Sequence, residues 1–306
     1  MPDETPPVTP VYSDVPDDAA RKALHEGNRE SWNEATRAHN SHKRDQAKFF
    51  RDGGHKLREE EIALLGDVHG LSVLHLQCNS GQDTLSIKQL GAARVTGVDI
   101  SDEAIDFAQK LSAESGLEAT FVRADVYDWL AEAAKRDERW DIVYCSFGAV
   151  IWLSDLDTWA RGIEAVLKPS GRFVVIEFHP VAWMFDENFE HKYPYSTRGR
   201  MITWSDGIGD YVGQSGPGLA PSGWEDGVQN FQNPHPSHEF AWGLSEIVQP
   251  LLNAGLMLTD IREYYHLGGL HPFKNMVRDD KNRWVLPPGV PGVPLMYSVV
   301  AQKPAS

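Results

Sequence analysis

Between residues 71 and 178 the chain repeats one alternation: a short run with a continuous apolar centre, then a segment of helix length. "LSVLHLQC" leads into "QDTLSIKQLGA", "RVTGVDI" into "SDEAIDFAQKLSAESG", "ATFVRADV" into "YDWLAEAAKR", and "WDIVYCSF" into "DLDTWARGIEAVL"; "GRFVVIEF" closes the series. Strands that are apolar throughout, rather than at alternate positions, are covered on both faces, which is the signature of a parallel sheet packed between helices. Right-handed crossovers then wind the sheet outward from its centre, giving a doubly wound α/β fold.

The flanks differ. Residues 1 to 17 are rich in Pro, Asp and Thr and read as a disordered or loosely attached arm. Asp17 or Asp18 can cap a helix carrying Leu24 and Trp32, and a second helical stretch holds Phe49 and Phe50, so residues 1–55 read as an arm and helical appendage. Residues 56–306 then form the sheet-containing domain. Within it, 181–237 break the rhythm with Gly, Pro, Asn, Asp and aromatic residues, as in "GDYVGQSGPGLAPSGWEDG". So long an irregular stretch is expected to be a lid, a binding insertion or a set of irregular strands. A helix, "GLSEIVQPLLNAGL", and two strands, "MLTDIREYY" and "VPLMYSVVAQK", complete the chain.

Charge and composition exclude several functions. The formal charge of −15 on 306 residues repels a phosphate backbone, so a nucleic-acid substrate is not expected. No apolar run reaches membrane-spanning length, and "MPDETPPVTP" lacks the basic and apolar regions of a signal peptide, so the expected location is the cytoplasm, with no membrane partner. Two cysteines, Cys78 and Cys145, cannot staple a secreted fold and read as reduced, buried thiols.

In a doubly wound sheet, ligands sit beyond the carboxyl ends of the strands, where the strand order reverses. "CNSG" follows the first strand, so its amides and the next helix's start face a ligand there. Asp99 ends the second strand, placed to accept both hydroxyls of a ribose, and Asp125 ends the third, placed to accept from an adenine amino group. Ser146 and Phe147 end the fourth with backbone contacts and an apolar surface.

With this order and spacing, residues 73 to 176 resemble the class I S-adenosylmethionine-dependent methyltransferases. The matching stretches are "LHLQCNSGQDTL", "TGVDIS", "VRADVYDW" and "AVLKPSGRFVV", the last being the most specific. "IEFHPVAWMFDE", "GLSEIVQPLLNAGL" and "PLMYSVVAQK" resemble the later parts of a bacterial small-molecule methyltransferase group. The resemblance implies a seven-stranded, mostly parallel sheet whose last strand is antiparallel. It also implies S-adenosylmethionine as cofactor, contacted by Gln77, Cys78, Asn79, Gly81, Asp99, Ile100, Asp125, Val126, Ser146 and Phe147, with Trp32 closing over it.

The first loop departs from the family pattern. His75 stands where an acid is usual, and Gln77 and Asn79 stand where glycines are usual. Asn79 can preserve a left-handed turn, whereas Gln77 must take an ordinary backbone conformation or offer its amide to the ligand. A nicotinamide dinucleotide would need three glycines at fixed offsets, and Gly81 alone is present; a donor without pyrophosphate demands a less close approach.

The expected activity is methyl transfer to a small-molecule acceptor through a nucleophilic N, O, S or C atom. A donor-binding regulatory or scaffold protein without methyl transfer is the other reading. His179, after the fifth strand, is the candidate general base, with a loop-holding hydrogen bond as its structural role. Glu177 reads as a satisfied strand-end carboxylate. Trp152, Trp183, Tyr195 and His238 are the candidate acceptor contacts, within an aromatic set that includes Phe185, Tyr193, Trp204 and Trp224. His235, His238 and Glu239 have a metal-like spacing, but the segment reads as a polar lid and no metal is expected. The sequence does not specify the oligomeric state.

Overall fold

A computed structural model of the chain describes residues 9–305; the first residues of the expected arm lie outside them. In chain order the elements are β1 (Val11–Ser13), α1 (Asp18–Ser41), α2 (Gln46–Arg51), α3 (Glu59–Leu65), β2 (Ser72–Leu76) and α4 (Gln82–Gln89). Then follow β3 (Arg94–Asp99), α5 (Asp102–Ser115), β4 (Thr120–Arg123), α6 (Val126–Lys135), β5 (Trp140–Cys145), α7 (Leu156–Val166) and β6 (Leu167–Phe178). The C-terminal part holds β7 (Met201–Trp204), α8 (Tyr211–Ser215), β8 (Ser237–Glu239), α9 (Leu244–Asn253), β9 (Met257–Tyr264), β10 (Val277–Arg278), β11 (Trp284–Val285) and β12 (Met296–Gln302).

Seven strands form one sheet in the order β4-β3-β2-β5-β6-β12-β9. The first five pair in parallel, and β12 runs antiparallel to both neighbours. The order reverses between β2 and β5, so the crevice for a ligand opens above their carboxyl ends. Alternate residues feed separate cores. Leu74, Leu76, Val143, Val175 and Val299 pack with α6, α7 and α9, whereas Val73, Ile142, Tyr144, Val174 and Ile176 pack toward α3 and α4. Both faces are dry, which is why these strands read as unbroken apolar runs.

The "LKPSG" turn lies inside β6. Ser170 takes φ +63°, and the pairing of β5 with β6 jumps from Trp140↔Leu167 to Ile142↔Arg172, so the turn is absorbed as an irregularity of a twelve-residue strand.

The flanks are more ordered than their composition suggests. Asp17 caps α1 by accepting from the Ala20 amide at 2.8 Å. Within the expected arm, β1 pairs antiparallel with β7, and β7 with β8, so arm and insertion share a three-stranded sheet. α1 is bound to the main body by Arg21 to Asp155 at 2.9 Å, Arg37 to Glu103 at 2.8 Å, and Arg29 to Asp102. The insertion is fixed to α1 by buried Ser31 and Asn233 and by the His42–Asp210 pair at 2.7 Å. Among the described residues, no helix is long and apolar enough to cross a membrane, and no group of three or more His, Cys, Asp or Glu could hold a metal ion.

Candidate active site

The turn after β2 explains how one glycine serves. Gln77, Asn79 and Gly81 have φ +53°, +48° and +76°, so all three alternate positions are left-handed. The expectation that Gln77 keeps an ordinary backbone is corrected. Its left-handed conformation costs roughly 1 kcal/mol, and its side-chain amide is held by donation from Nε2 to the Ala149 carbonyl at 2.8 Å. Asn79 offsets the same cost with a local bond, its Oδ1 accepting from the Ser80 amide at 2.7 Å. At Gly81 no side chain fits: a Cβ would lie 2.7 Å from both the Ala108 and Phe121 side chains. Gly81 therefore supports the turn from behind and does not line the cavity, a correction to its expected cofactor contact.

Above the reversal point lies a cavity of about 500 Å³. Its sheet side is lined by Gln77, Cys78, Asn79, Asp99, Ile100, Asp125, Val126, Ser146 and Phe147, so the remaining strand-end residues named from the sequence come together in one space. Asp99 accepts from the Asn79 amide at 2.8 Å and the Ser101 amide at 2.9 Å, tying the first loop to the second. Burial raises its carboxyl above the ordinary value, against those two bonds. Asp125 caps α6 through the Tyr127 amide and also meets His25 Nδ1 at 2.6 Å. Burial acts to raise its carboxyl, but the His25 bond and charge hold it below the ordinary value. His75 is buried; its ring nitrogens meet Thr84 Oγ1 at 2.9 Å and Ser146 Oγ at 3.2 Å, and burial pushes the imidazole down to about 4.

Glu177 is a satisfied strand-end carboxylate. It accepts from the amides of Gly148, Ala149, Val150 and Phe178 at 2.6 to 3.1 Å, fixing the loop that carries Ser146 and Phe147.

The outer wall comes from α1, the insertion and a second loop segment between β9 and β12. Trp32 meets Trp152 edge to face with ring centroids 5.5 Å apart, and both line the cavity, as does Trp183. Tyr195 and His238, expected as acceptor contacts, are not among the residues lining the cavity. The Tyr195 hydroxyl accepts from the Leu244 amide at 3.0 Å outside the cavity. The His238 backbone pairs with the Asn28 side chain and its Nδ1 with Thr203 Oγ1 at 3.0 Å, so it joins α1 to the insertion sheet. Phe185, Tyr193 and Trp204 pack within the insertion, and Trp224 stacks on His42 at the end of α1.

His179 also lies outside the cavity lining. Its Nε2 meets Glu263 Oε1 at 3.0 Å and its Nδ1 accepts from the Val181 amide at 3.1 Å, so both ring nitrogens are engaged in holding the turn after β6. This is the loop-holding arrangement given above as the structural alternative to a general base.

Other lining residues gave no signal in the sequence. Arg58, at the start of α3, presses against Gly268 and Gly269 so closely that a Cβ on Gly268 would overlap its guanidinium. Lys43, Tyr211 and Gln214 also line the cavity, with Leu267 to Leu270 and Pro272. They come from the segment after α1, the start of α3, the short α8 and the 265–295 segment, and tertiary packing alone brings them together.

Comparisons agree with this geometry. Residues 73–171 match the family described as a methyltransferase domain. The chain is 30% identical over 137 residues to the demethylmenaquinone methyltransferase of Lactococcus lactis, covering 44% of this chain and 52% of that one. It is 36% identical over 100 residues to the ribosomal RNA large subunit methyltransferase I of Photobacterium profundum, covering 30% and 25%. It thus spans a quarter to a half of the length of these relatives. An S-adenosylmethionine-dependent methyltransferase from Clostridium acetobutylicum has the same fold, with TM-score 0.51 and 12% identity over 84% of this chain and 92% of that one. Residues 73–171 thus match the methyltransferase-domain family, and the seven-stranded sheet built around them has the fold of an S-adenosylmethionine-dependent methyltransferase.

Proposed function

We propose that the protein transfers the methyl group of S-adenosylmethionine to a small-molecule acceptor. The observation that carries this reading is the convergence of Asp99, Asp125 and the left-handed 77–81 loop on one cavity at the strand-order reversal.

The cavity's side chains fit the donor piece by piece. Asp99 accepts the ribose hydroxyls, Ile100 and Val126 flank the adenine, and Asp125, oriented by His25, accepts from its amino group. Arg58 has no acceptor for its guanidinium among the described residues and suits the methionine carboxylate. When bound, S-adenosylmethionine supplies a methyl group on a sulfonium, already an activated leaving group. What the protein adds is alignment and exclusion of water: Glu177 holds the floor loop, and Trp32, Trp152 and Trp183 wall the acceptor side. A cavity of about 500 Å³ walled by α1 and the insertion supports a small acceptor over a polymer.

The test is turnover with donor labelled in its methyl group, against a panel of amines, hydroxyls, thiols and carbon acids. Label in a small product supports the reading. Donor binding without transfer to any class would instead support a binding module.

A further inference from the structure

Two cations line the cavity without a carboxylate partner among the described residues: Arg58 and Lys43. Their neighbour Lys56 is already paired with Asp83 at 3.3 Å, and Asp210 with His42 at 2.7 Å. The donor carries a single carboxylate, so one cation is left over.

Placement separates them. Arg58 stands at the start of α3, which is tied to the sheet by the Tyr144 hydroxyl of β5 donating to Glu61 at 2.6 Å, and its guanidinium lies against Gly268 and Gly269. Lys43 follows α1 and is bridged to Trp224 of the insertion, and the next residue donates its amide to the Gly223 carbonyl at 2.9 Å. It is therefore joined to the insertion, in a cavity whose lining also includes Tyr211, Gln214 and the apolar Trp183, Leu219 and Leu270. Burial first, then the charge of Lys56, push its ammonium down to about 7, against the weaker attraction of Asp83 and Asp210. That is the response of a cation lacking its counter-ion. The chain as a whole carries −15, so an unpaired cation inside is set against the general field.

We infer that Lys43 binds an anionic group on the acceptor, which is an apolar or aromatic molecule carrying a carboxylate or a phosphate. This rests on the donor occupying the strand-end half of the cavity. Lys43 is a specificity residue here: the anion fixes one end of the acceptor and leaves its nucleophile to meet the methyl group.

The test is calorimetry on protein saturated with S-adenosylhomocysteine, titrated with benzoate, phenyl phosphate and benzamide. One of the two anions is expected to bind at least about tenfold tighter than the neutral amide, with proton uptake as the ammonium regains its charge. Lys43→Met should abolish that preference, Lys43→Arg should retain part of it, and S-adenosylhomocysteine affinity should not change in either. Preference for benzoate or phenyl phosphate tells carboxylate from phosphate. Equal or absent binding of anion and amide, or a preference that survives Lys43→Met, overturns the inference. A loss of S-adenosylhomocysteine affinity in Lys43→Met also overturns it, by assigning Lys43 to the donor. Failure of wild type to bind S-adenosylhomocysteine at all would instead remove the donor reading beneath it.

Discussion

The two halves of the cavity are built by different means. The sheet half comes from consecutive strand ends within residues 77–147, and its shape is set by backbone: three left-handed residues, a carboxylate bonded to two amides, and a loop clamped by Glu177. The outer half comes from α1, the insertion and the 265–295 segment, and its shape is set by side chains from distant parts of the chain. Backbone-defined geometry suits a ligand common to a family, whereas a wall assembled from loops can change without disturbing the sheet.

The largest effect should come from breaking the sheet half at its tightest point. Gly81→Ala places a Cβ against Ala108 and Phe121 at a left-handed position, and is expected to lower stability by about 3 kcal/mol, read by denaturant unfolding. A similar substitution in the outer half, Gly209→Ala, meets nothing within 4 Å and should change stability by less than about 1 kcal/mol. Equal effects would erase the distinction between the halves.

Acid provides a second contrast. His75 and His39 are buried and held neutral, both pushed down to about 4, chiefly by burial. The unfolded chain protonates these rings near an ordinary 6.5, so it gains protons that the folded chain refuses. Stability should be full above about pH 6.5 and fall steadily toward pH 4, by on the order of 3 kcal/mol or more. His75 ties the sheet half and His39 lies in the outer wall, its ring tilted against Tyr211 with centroids 4.1 Å apart. Stability measured at several pH values in His75→Asn and His39→Asn shows which half dominates the acid loss.

His179→Ala separates structure from chemistry. Loss of its bonds to Glu263 and Val181 should cost about 1–2 kcal/mol in stability, while turnover at saturating substrates stays within about twofold. A collapse of turnover with an altered pH profile would return the residue to the chemistry.

Gln77→Gly should have the smallest effect. It relieves left-handed strain but loses the bond to Ala149, two opposing contributions of about 1 kcal/mol each, so stability should hardly move.

The legibility of the sequence follows the same divide. Unbroken apolar runs fixed the strands, and the residues directly after them, Asp99, Asp125, Ser146 and Phe147, necessarily share the carboxyl edge. Even the odd loop could be placed, although the left-handed backbone of Gln77 was hidden because its compensating partner, Ala149, lies on another strand's loop. The outer wall was not legible. Aromatic content marked the insertion as a wall, yet Tyr195 and Trp224 tie it to the start of α9 and the end of α1, while Lys43, Arg58 and Tyr211 enter the cavity through contacts that no local pattern encodes. His179 shows the same limit: a histidine after a strand end faces either ligand or neighbouring strand, and the partner that decides it, Glu263, is 84 residues away.

The most direct measurement is calorimetric titration of wild type and Asp99→Ala with S-adenosylhomocysteine, S-adenosylmethionine and NAD. Wild type should bind the two sulfur nucleosides and not NAD, and loss of the ribose contacts in Asp99→Ala should weaken that binding about 100-fold. Preference for NAD, or affinity that survives the substitution, would contradict the placement of the methyl donor at the strand ends.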